Sequence, residues 1–172
     1  MKKLFFTLVA VVTLNQSLTA QTGKLIYTEL GGPGLLLSAN FDSRFNPNER
    51  LGFGFRLGAG FEVDEFYNIE SHVRRLLQGD NHKKQTFYSF PVGLNYVFGK
   101  HNSSSTFEVG AGLTFLTRRE QHYYDMGRAI WHTSFIYRIM PVNGGFSFRV
   151  GLTPLISGIF FPMGAIGFGY VF

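Results

Sequence analysis

Apolar side chains alternate with small or polar ones along most of the chain after residue 34. The segment LGFGFRLGAGFEV, residues 51–63, has an apolar residue at every odd position and Gly, Arg or Glu at every even position. Successive side chains of a β-strand point to opposite faces, so this pattern predicts a strand with two different faces. Similar patterns predict strands at residues 35–45, 90–98, 107–116, 131–139, 146–152 and 166–172, and residues 24–30 are counted as the first strand.

Short breaks between these segments alternate along the chain with breaks that are mostly longer. Short turn-forming sequences occupy residues 46–49, 100–104 and 142–145, and between them stand the tight GGPG at 31–34, a charged segment at 64–85, a medium one at 118–128 and ISGIFFP at 156–162. Strands of about ten residues cross a bilayer when they are tilted. Short turns on one side and mostly longer loops on the other are typical of membrane barrels. The sequence therefore predicts an all-β fold, an eight-stranded antiparallel up-and-down transmembrane β-barrel with both termini on the short-turn side.

The two faces of residues 51–63 fit the two surroundings of such a barrel. An Arg that faces lipid at mid-membrane costs about 2 to 4 kcal/mol, so we expect the Phe and Leu face to meet lipid and the Gly, Arg and Glu face to line the lumen. Glycines would leave room in a narrow interior for long side chains such as Arg56. Strand curvature explains the glycines equally well. The same alternation predicts a second outward face of Leu35, Leu37, Ala39, Phe41 and Phe45.

Alternation also places charged side chains in the lumen. Eight are expected there, four of each sign: Glu29, Asp42, Arg44, Arg56, Glu62, Glu108, Arg138 and Arg149. Pairing strands five and six across the loop at 118–128 places Glu108 within a residue or two of Arg138, and the turn at 142–145 puts Arg149 beside Arg138. We therefore expect an ion-pair network that closes the lumen, with Glu108 against two arginines.

The beginning of the chain predicts export. Lys2 and Lys3 precede the apolar run LFFTLVAVVTL, which is too short for a membrane helix and is followed by NQSLTAQ. This order is typical of a secretory signal peptide, here residues 1–20, with the barrel domain at 21–172. Removing two lysines lowers the formal net charge from +5 by two, which gives no case for binding nucleic acid. Charged residues make up 16%, below the roughly 25% of soluble proteins.

These features together resemble a known class of proteins. The leader, the eight alternating segments and the terminal GFGYVF are similar to the small outer-membrane β-barrel proteins of Gram-negative bacteria, the class of the OmpA transmembrane domain, OmpX and OmpW. In such proteins the last strand closes against the first. Phe168, Tyr170 and Phe172 resemble the assembly signal that is read by the barrel-insertion machinery. The resemblance implies a monomer in the outer membrane of a Gram-negative bacterium, with outer-membrane lipids and lipopolysaccharide as partners and no cofactor.

The remaining polar residues are candidates for two kinds of binding, to lipopolysaccharide and to a metal ion. The segment at 64–85 has apolar residues near helical spacing, although an extension of strand three fits nearly as well. It and the next loop carry basic residues that we expect near the phosphates of lipopolysaccharide, with a solvated loop as the alternative. These residues are Arg74, Arg75, Lys83, Lys84, Arg118, Arg119 and Arg128. His72, His82, His101 and His122 lack ligand spacing, and the chain has no Cys, so we expect no metal site.

Three classes of function follow. The first is a non-enzymatic outer-membrane barrel with an envelope-structural, surface-binding or small-ligand role. The second is a barrel enzyme that modifies lipid A, because His132 and Ser134 in WHTSF resemble the His-x-Ser motif of deacylases; an acid to orient the histidine is missing from the next strand, and Phe135 stands where Asn is expected. The third is a soluble lipocalin-like carrier with the Phe faces turned inward. We expect no catalytic residue.

Overall fold

Strands account for most of the described chain. The computed structural model describes residues 23–63, 86–117, 128–157 and 159–172. The strands are β1 (Lys24–Gly31), β2 (Leu37–Arg44), β3 (Gly52–Val63), β4 (Thr86–Gly99), β5 (Ser105–Leu116), β6 (Ala129–Ile139), β7 (Gly145–Leu152), β8 (Leu155–Ser157), β9 (Ile159–Phe161) and β10 (Gly164–Val171). Within these ranges, no helical segment has the length and apolar character needed to cross a membrane. The signal peptide predicted at 1–20 and the loop predicted at 64–85 lie outside the described residues.

Eight of these strands close into a ring. Each strand from β1 to β6 pairs antiparallel with the next along the chain, and β10 pairs with both β7 and β1. The predicted eight-stranded antiparallel barrel is confirmed, with residues 24–31 as a separate first strand. The other two strands, β8 and β9, form a short hairpin that continues β7 and β10 beyond the ring. Part of the loop expected at 156–162 is this hairpin.

The outer surface of the barrel is apolar. Many outward side chains are more than a third exposed, and on β3 these are Phe53, Leu57 and Phe61, as predicted for its Phe and Leu face. Examples from different strands are Ile26, Phe53, Leu94, Phe107, Trp131, Phe146 and Ile166.

Two residues expected on this outer surface are instead buried. Leu51 precedes β3 and Leu35 precedes β2, and neither belongs to a strand. The alternation of faces holds only where the backbone is extended and paired, so it does not extend into a turn. The outward assignment of Leu35 and Leu51 was therefore wrong.

The connection between β1 and β2 folds into the mouth of the barrel at the end opposite the short turns. A 3-10 turn at Gly32–Gly34 is buried and touches β3, β4 and β5 as well as β1 and β10. The Thr114 hydroxyl on β5 donates a hydrogen bond to the carbonyl of Pro33 at 2.7 Å, and the Ser89 hydroxyl on β4 donates one to the carbonyl of Gly34 at 2.8 Å. We call residues 31–36 the outer plug.

Leu35, within the outer plug, has a strained backbone conformation. Its φ of 71° lies in the left-handed region, where a branched side chain costs about 1 to 3 kcal/mol. Such a residue persists only where its surroundings fix it. The Leu35 side chain is buried in an apolar cluster on the inner surface at this end of the barrel. The cluster is completed by Leu116, Ile130, Leu155 and Met163.

Candidate functional site: the charged barrel interior

Seven charged side chains form one alternating chain across the lumen. In order of contact they are Arg44, Asp42, Arg138, Glu108, Arg149, Glu29 and Arg56. All seven are nearly inaccessible to solvent. Each of the three carboxylates therefore lies between two guanidinium groups, and the chain has four positive and three negative charges. The side chain of Glu62, which was expected in the same lumen, lies outside the described part of the structure.

Glu108 occupies the middle of this chain. Its Oε2 accepts hydrogen bonds from Arg138 Nη1 at 2.7 Å and from Arg149 Nη1 at 3.0 Å, and its Oε1 accepts one from Arg149 Nη2 at 3.3 Å. Arg138 and Arg149 are register partners on neighbouring strands, so without Glu108 two like charges would stand side by side. The register partners of Glu108 itself are Val97 and Ile136, which are buried and apolar. The buried carboxylate of Glu108 is thus stabilised by ion pairs with the two arginines.

Asp42 and Glu29 extend the chain on either side. Asp42 pairs with Arg44, and its Oδ1 lies 3.4 Å from Arg138 Nη2. Glu29 pairs with Arg56, and its Oε1 lies 3.7 Å from Arg149 Nε. Hydrogen bonds to charged groups are among the stronger ones in proteins. Here such bonds, together with the longer Arg149–Glu29 ion pair, link β1, β2, β3, β5, β6 and β7 through the interior.

Two asparagines satisfy the arginines at the ends of the chain. Arg44 donates to the side-chain oxygen of Asn95 at 2.8 Å and to the Gly52 carbonyl at 2.9 Å. The Asn95 amide in turn donates to Asp42. At the other end, Arg56 Nε donates to Asn40 Oδ1 at 3.5 Å. Neither asparagine was singled out in the sequence, although both stand at inward positions.

Tyr27 adds an aromatic face to the network. Its buried ring lies with the centroid 4.1 Å from Arg149 Cζ and 5.3 Å from Arg56 Cζ, which is cation–π distance for both. The ring lies over β10, where a Cβ on Gly167 or Gly169 would meet Tyr27 atoms. Glycine therefore provides the space that this tyrosine occupies.

The glycines of β3 divide between the two explanations offered for them. A Cβ on Gly54 would lie 2.5 Å from Arg44 Cζ, so this glycine makes room for a lumen arginine. Gly52 has a φ of +97° and open space around its Cα, so its role is the backbone conformation where β3 begins. Both explanations thus apply, at different positions.

Arg50 joins the three short turns at the opposite mouth. It is buried, and its guanidinium donates to the carbonyls of Met140, His101 and Ser103. These acceptors belong to two other turns, so one side chain bridges all three. Arg50 was not singled out in the sequence because turn residues follow no alternation.

His132 and Ser134 both lie inside the barrel on β6 and are buried. His132 Nδ1 is 3.2 Å from the Thr114 hydroxyl, the same hydroxyl that binds the outer plug. This neighbour is a hydroxyl rather than the carboxylate that would orient a catalytic histidine. In the described ranges, no group of three or more His, Asp or Glu side chains could hold a metal ion.

The other predicted sites are the basic residues expected near lipopolysaccharide and the aromatic residues of the last strand. Arg128 is exposed just before β6, whereas the other six basic residues expected near lipopolysaccharide lie outside the described residues. Phe168 and Tyr170 are exposed on the outer face of β10, and the Phe168 ring contacts Phe146 and Phe148. The backbone N–H of Phe172 donates to the carbonyl of Lys24.

No protein-family model and no curated protein matches the chain. Two solved structures share its fold. One is the crystal structure of the N-terminal β-barrel domain of Pseudomonas aeruginosa OprF, with 13% identity, a TM-score of 0.57, and coverage of 89% of this chain and 99% of that one. The other is the Yersinia pestis outer membrane protein Ail in a phospholipid bilayer nanodisc, with 11% identity, a TM-score of 0.53, and coverage of 88% and 99%. The chain has the fold of the small eight-stranded outer-membrane β-barrels. Identities this low show the fold alone.

Proposed function

We propose that the chain is a non-enzymatic integral outer-membrane β-barrel whose lumen is closed by its charged interior. The observation that carries the proposal is the alternating chain of Arg44, Asp42, Arg138, Glu108, Arg149, Glu29 and Arg56, which reaches six of the eight strands. An ion that crosses the lumen would have to displace paired charges. With a closed lumen, the protein would serve the envelope as a structural component, as a surface-binding protein or as a holder of a small ligand.

The outer face of the barrel supports a membrane location. Phe53, Leu94 and Trp131 are each at least 60% exposed and lie on three different strands. Contiguous apolar surface of this extent is uncommon on a soluble protein, whereas lipid would cover it. A soluble lipocalin-like carrier would need these faces turned inward, and they point outward.

The burial of His132 and Ser134 favours a protein without catalytic activity. A lipid A acyl chain in the outer leaflet would have to pass the barrel wall to reach either side chain. Mass spectrometry of lipid A from cells with and without the protein tests the alternative of a lipid A deacylase, because a deacylase would change the number of acyl chains. An unchanged lipid A agrees with the proposal.

Conductance measurements test the closed lumen directly. Purified wild-type protein in a planar lipid bilayer should give no steady current above the baseline of the lipid. The charges of the interior are paired with one another, so they offer an ion no free binding site. A large steady conductance of the wild type would overturn the closed-lumen proposal.

Basic residues of the outer loops are proposed to contact lipopolysaccharide. Arg128 is exposed at the loop end of the barrel, beside the end of β5, where the Leu116 N–H donates to its carbonyl. A guanidinium at this height could donate charge-assisted hydrogen bonds to lipid phosphates. Arg74, Arg75, Lys83, Lys84, Arg118 and Arg119 would act in the same way.

Deleting Phe172 is expected to lower the amount of protein inserted in the outer membrane, with export unaffected. Phe168, Tyr170 and Phe172 would be read as the assembly signal, and β10 is the strand that closes the ring against β1. Insertion can be measured by the fraction that migrates faster without boiling, and export by cleavage of the leader. Phe160→Ala is a suitable control, because it removes an exposed aromatic ring outside the closing strand. Undiminished insertion of the truncated chain would contradict the assignment.

A further inference from the structure

We propose that the outer plug, residues 31–36, is a gate held by two side-chain hydroxyls. This inference rests on the closed lumen proposed above and concerns its loop end. Thr114 and Ser89 donate to two consecutive carbonyls of the plug, those of Pro33 and Gly34. Both anchors are single hydrogen bonds from side chains, and residues 32–35 lie between the paired residues of β1 and β2. This part of the plug can therefore leave while Gly31 keeps its pairing with Ala165 on β10.

Three residues of the plug have backbone conformations in the left-handed region. Gly31 and Gly32 have φ of 71° and 72°, and Leu35 adopts a similar φ although it is not a glycine. The strain of Leu35 would be released if the segment moved outward, while the apolar cluster around its side chain resists the movement. The closed position is thus set by opposing contributions rather than by one strong contact.

Two buried polar side chains, His132 and Ser134, lie between the plug and the charge network, and we call the region around them the chamber. Along β6, His132 and Ser134 point inward between Arg138 of the network and Ile130 of the apolar cluster. His132 contacts Thr114, so the chamber and the plug share one hydroxyl. Outward movement of the plug would open this chamber to solvent while the network below remained closed.

Labelling of a single cysteine can report this opening, because the natural chain contains no Cys. The Ser134→Cys reporter lies in the chamber, and the Ser147→Cys reporter lies on the short-turn side of Arg149. The purified, folded protein in detergent is treated with a charged methanethiosulfonate, and the rate of modification is measured. In the otherwise natural chain, both reporters should react slowly.

Removing one anchor should raise the labelling rate in the chamber alone. We expect Thr114→Val to increase the rate at Ser134→Cys by about two- to tenfold, the factor that corresponds to one lost hydrogen bond. Thr114→Ser keeps the hydroxyl and should leave the rate unchanged. Ser89→Ala tests the second anchor independently and serves if Thr114→Val fails to fold, as judged by migration without boiling.

Different labelling results would contradict the gate and the closed lumen. Equal rates at Ser134→Cys in Thr114→Val, Ser89→Ala and Thr114→Ser would overturn the gate, and so would an equal rise at Ser147→Cys, which would indicate general loosening. Fast labelling of both reporters in the otherwise natural chain would instead contradict the closed lumen. Failure of the gate and failure of the proposed function are therefore distinguishable.

Discussion

Glu108→Gln should destabilise the barrel by about 3 to 5 kcal/mol, the typical cost of leaving a buried charge without its partner. Glutamine keeps the shape of the side chain but removes the charge that Arg138 and Arg149 share. These two arginines are register partners, so their repulsion would be offset only by the longer contacts of Arg138 with Asp42 and of Arg149 with Glu29. Urea unfolding in lipid vesicles, followed by migration without boiling, measures the change in the free energy of unfolding.

Glu49→Gln is the matched control for this substitution. Glu49 is exposed in a short turn and accepts a hydrogen bond from Asn46, so its replacement should change stability by no more than about 0.5 kcal/mol. If the charges of the lumen were hydrated and lined a conducting path, Glu108→Gln would alter ion selectivity and leave stability unchanged. That outcome, together with a conducting wild type, would contradict a closed interior.

The side-chain period of the strands made the barrel predictable. In a closed sheet between lipid and a narrow lumen, each face has one kind of environment, so apolar and small or polar residues must alternate. The lengths of the breaks then set the number of strands and the side on which the chain begins. Both the alternation and the lengths of the breaks are local features, so they can be recognised in a single sequence.

The charged residues of the lumen were predictable as a set, but their partners were only partly so. Alternation places Glu108 and Arg138 inside, and a short turn fixes the register of Arg149 with Arg138. The pairing of Asp42 with Arg138 joins β2 to β6 across the lumen. It depends on the three-dimensional stagger of the ring, which the local pattern does not contain.

The ends of the barrel were the least predictable part. GGPG indicates a tight turn, but nothing in its composition indicates that the turn folds inward onto Thr114 and Ser89. Arg50 likewise contacts carbonyls of two distant turns. Every residue has a backbone carbonyl, so the residue types do not show which carbonyls will accept these hydrogen bonds. Contacts to backbone atoms of remote segments appear only once the ring is closed.

Leu94→Arg is expected to lower the free energy of unfolding in lipid vesicles by about 2 to 4 kcal/mol. Leu94 lies near the middle of β4, is 60% exposed, and has Phe55 and Ala111 as register partners on the same outer face. A guanidinium there would be placed in the hydrocarbon of the membrane, where it must draw in water or bend toward the interface. Urea titration of the wild type and the variant in the same vesicles gives the difference.

Phe45→Arg distinguishes lipid exposure from mere loss of an apolar residue. Phe45 is 59% exposed, nearly as much as Leu94, but it follows the end of β2 at the short turns. The cost of an outward arginine falls to about 0 to 1 kcal/mol near the membrane interface. A soluble barrel would tolerate both substitutions within about 0.5 kcal/mol, because both side chains would lie in water. Equal, small effects at the two positions would therefore contradict a membrane-spanning barrel, whereas a large effect at Leu94 alone follows from the depth dependence that only lipid imposes.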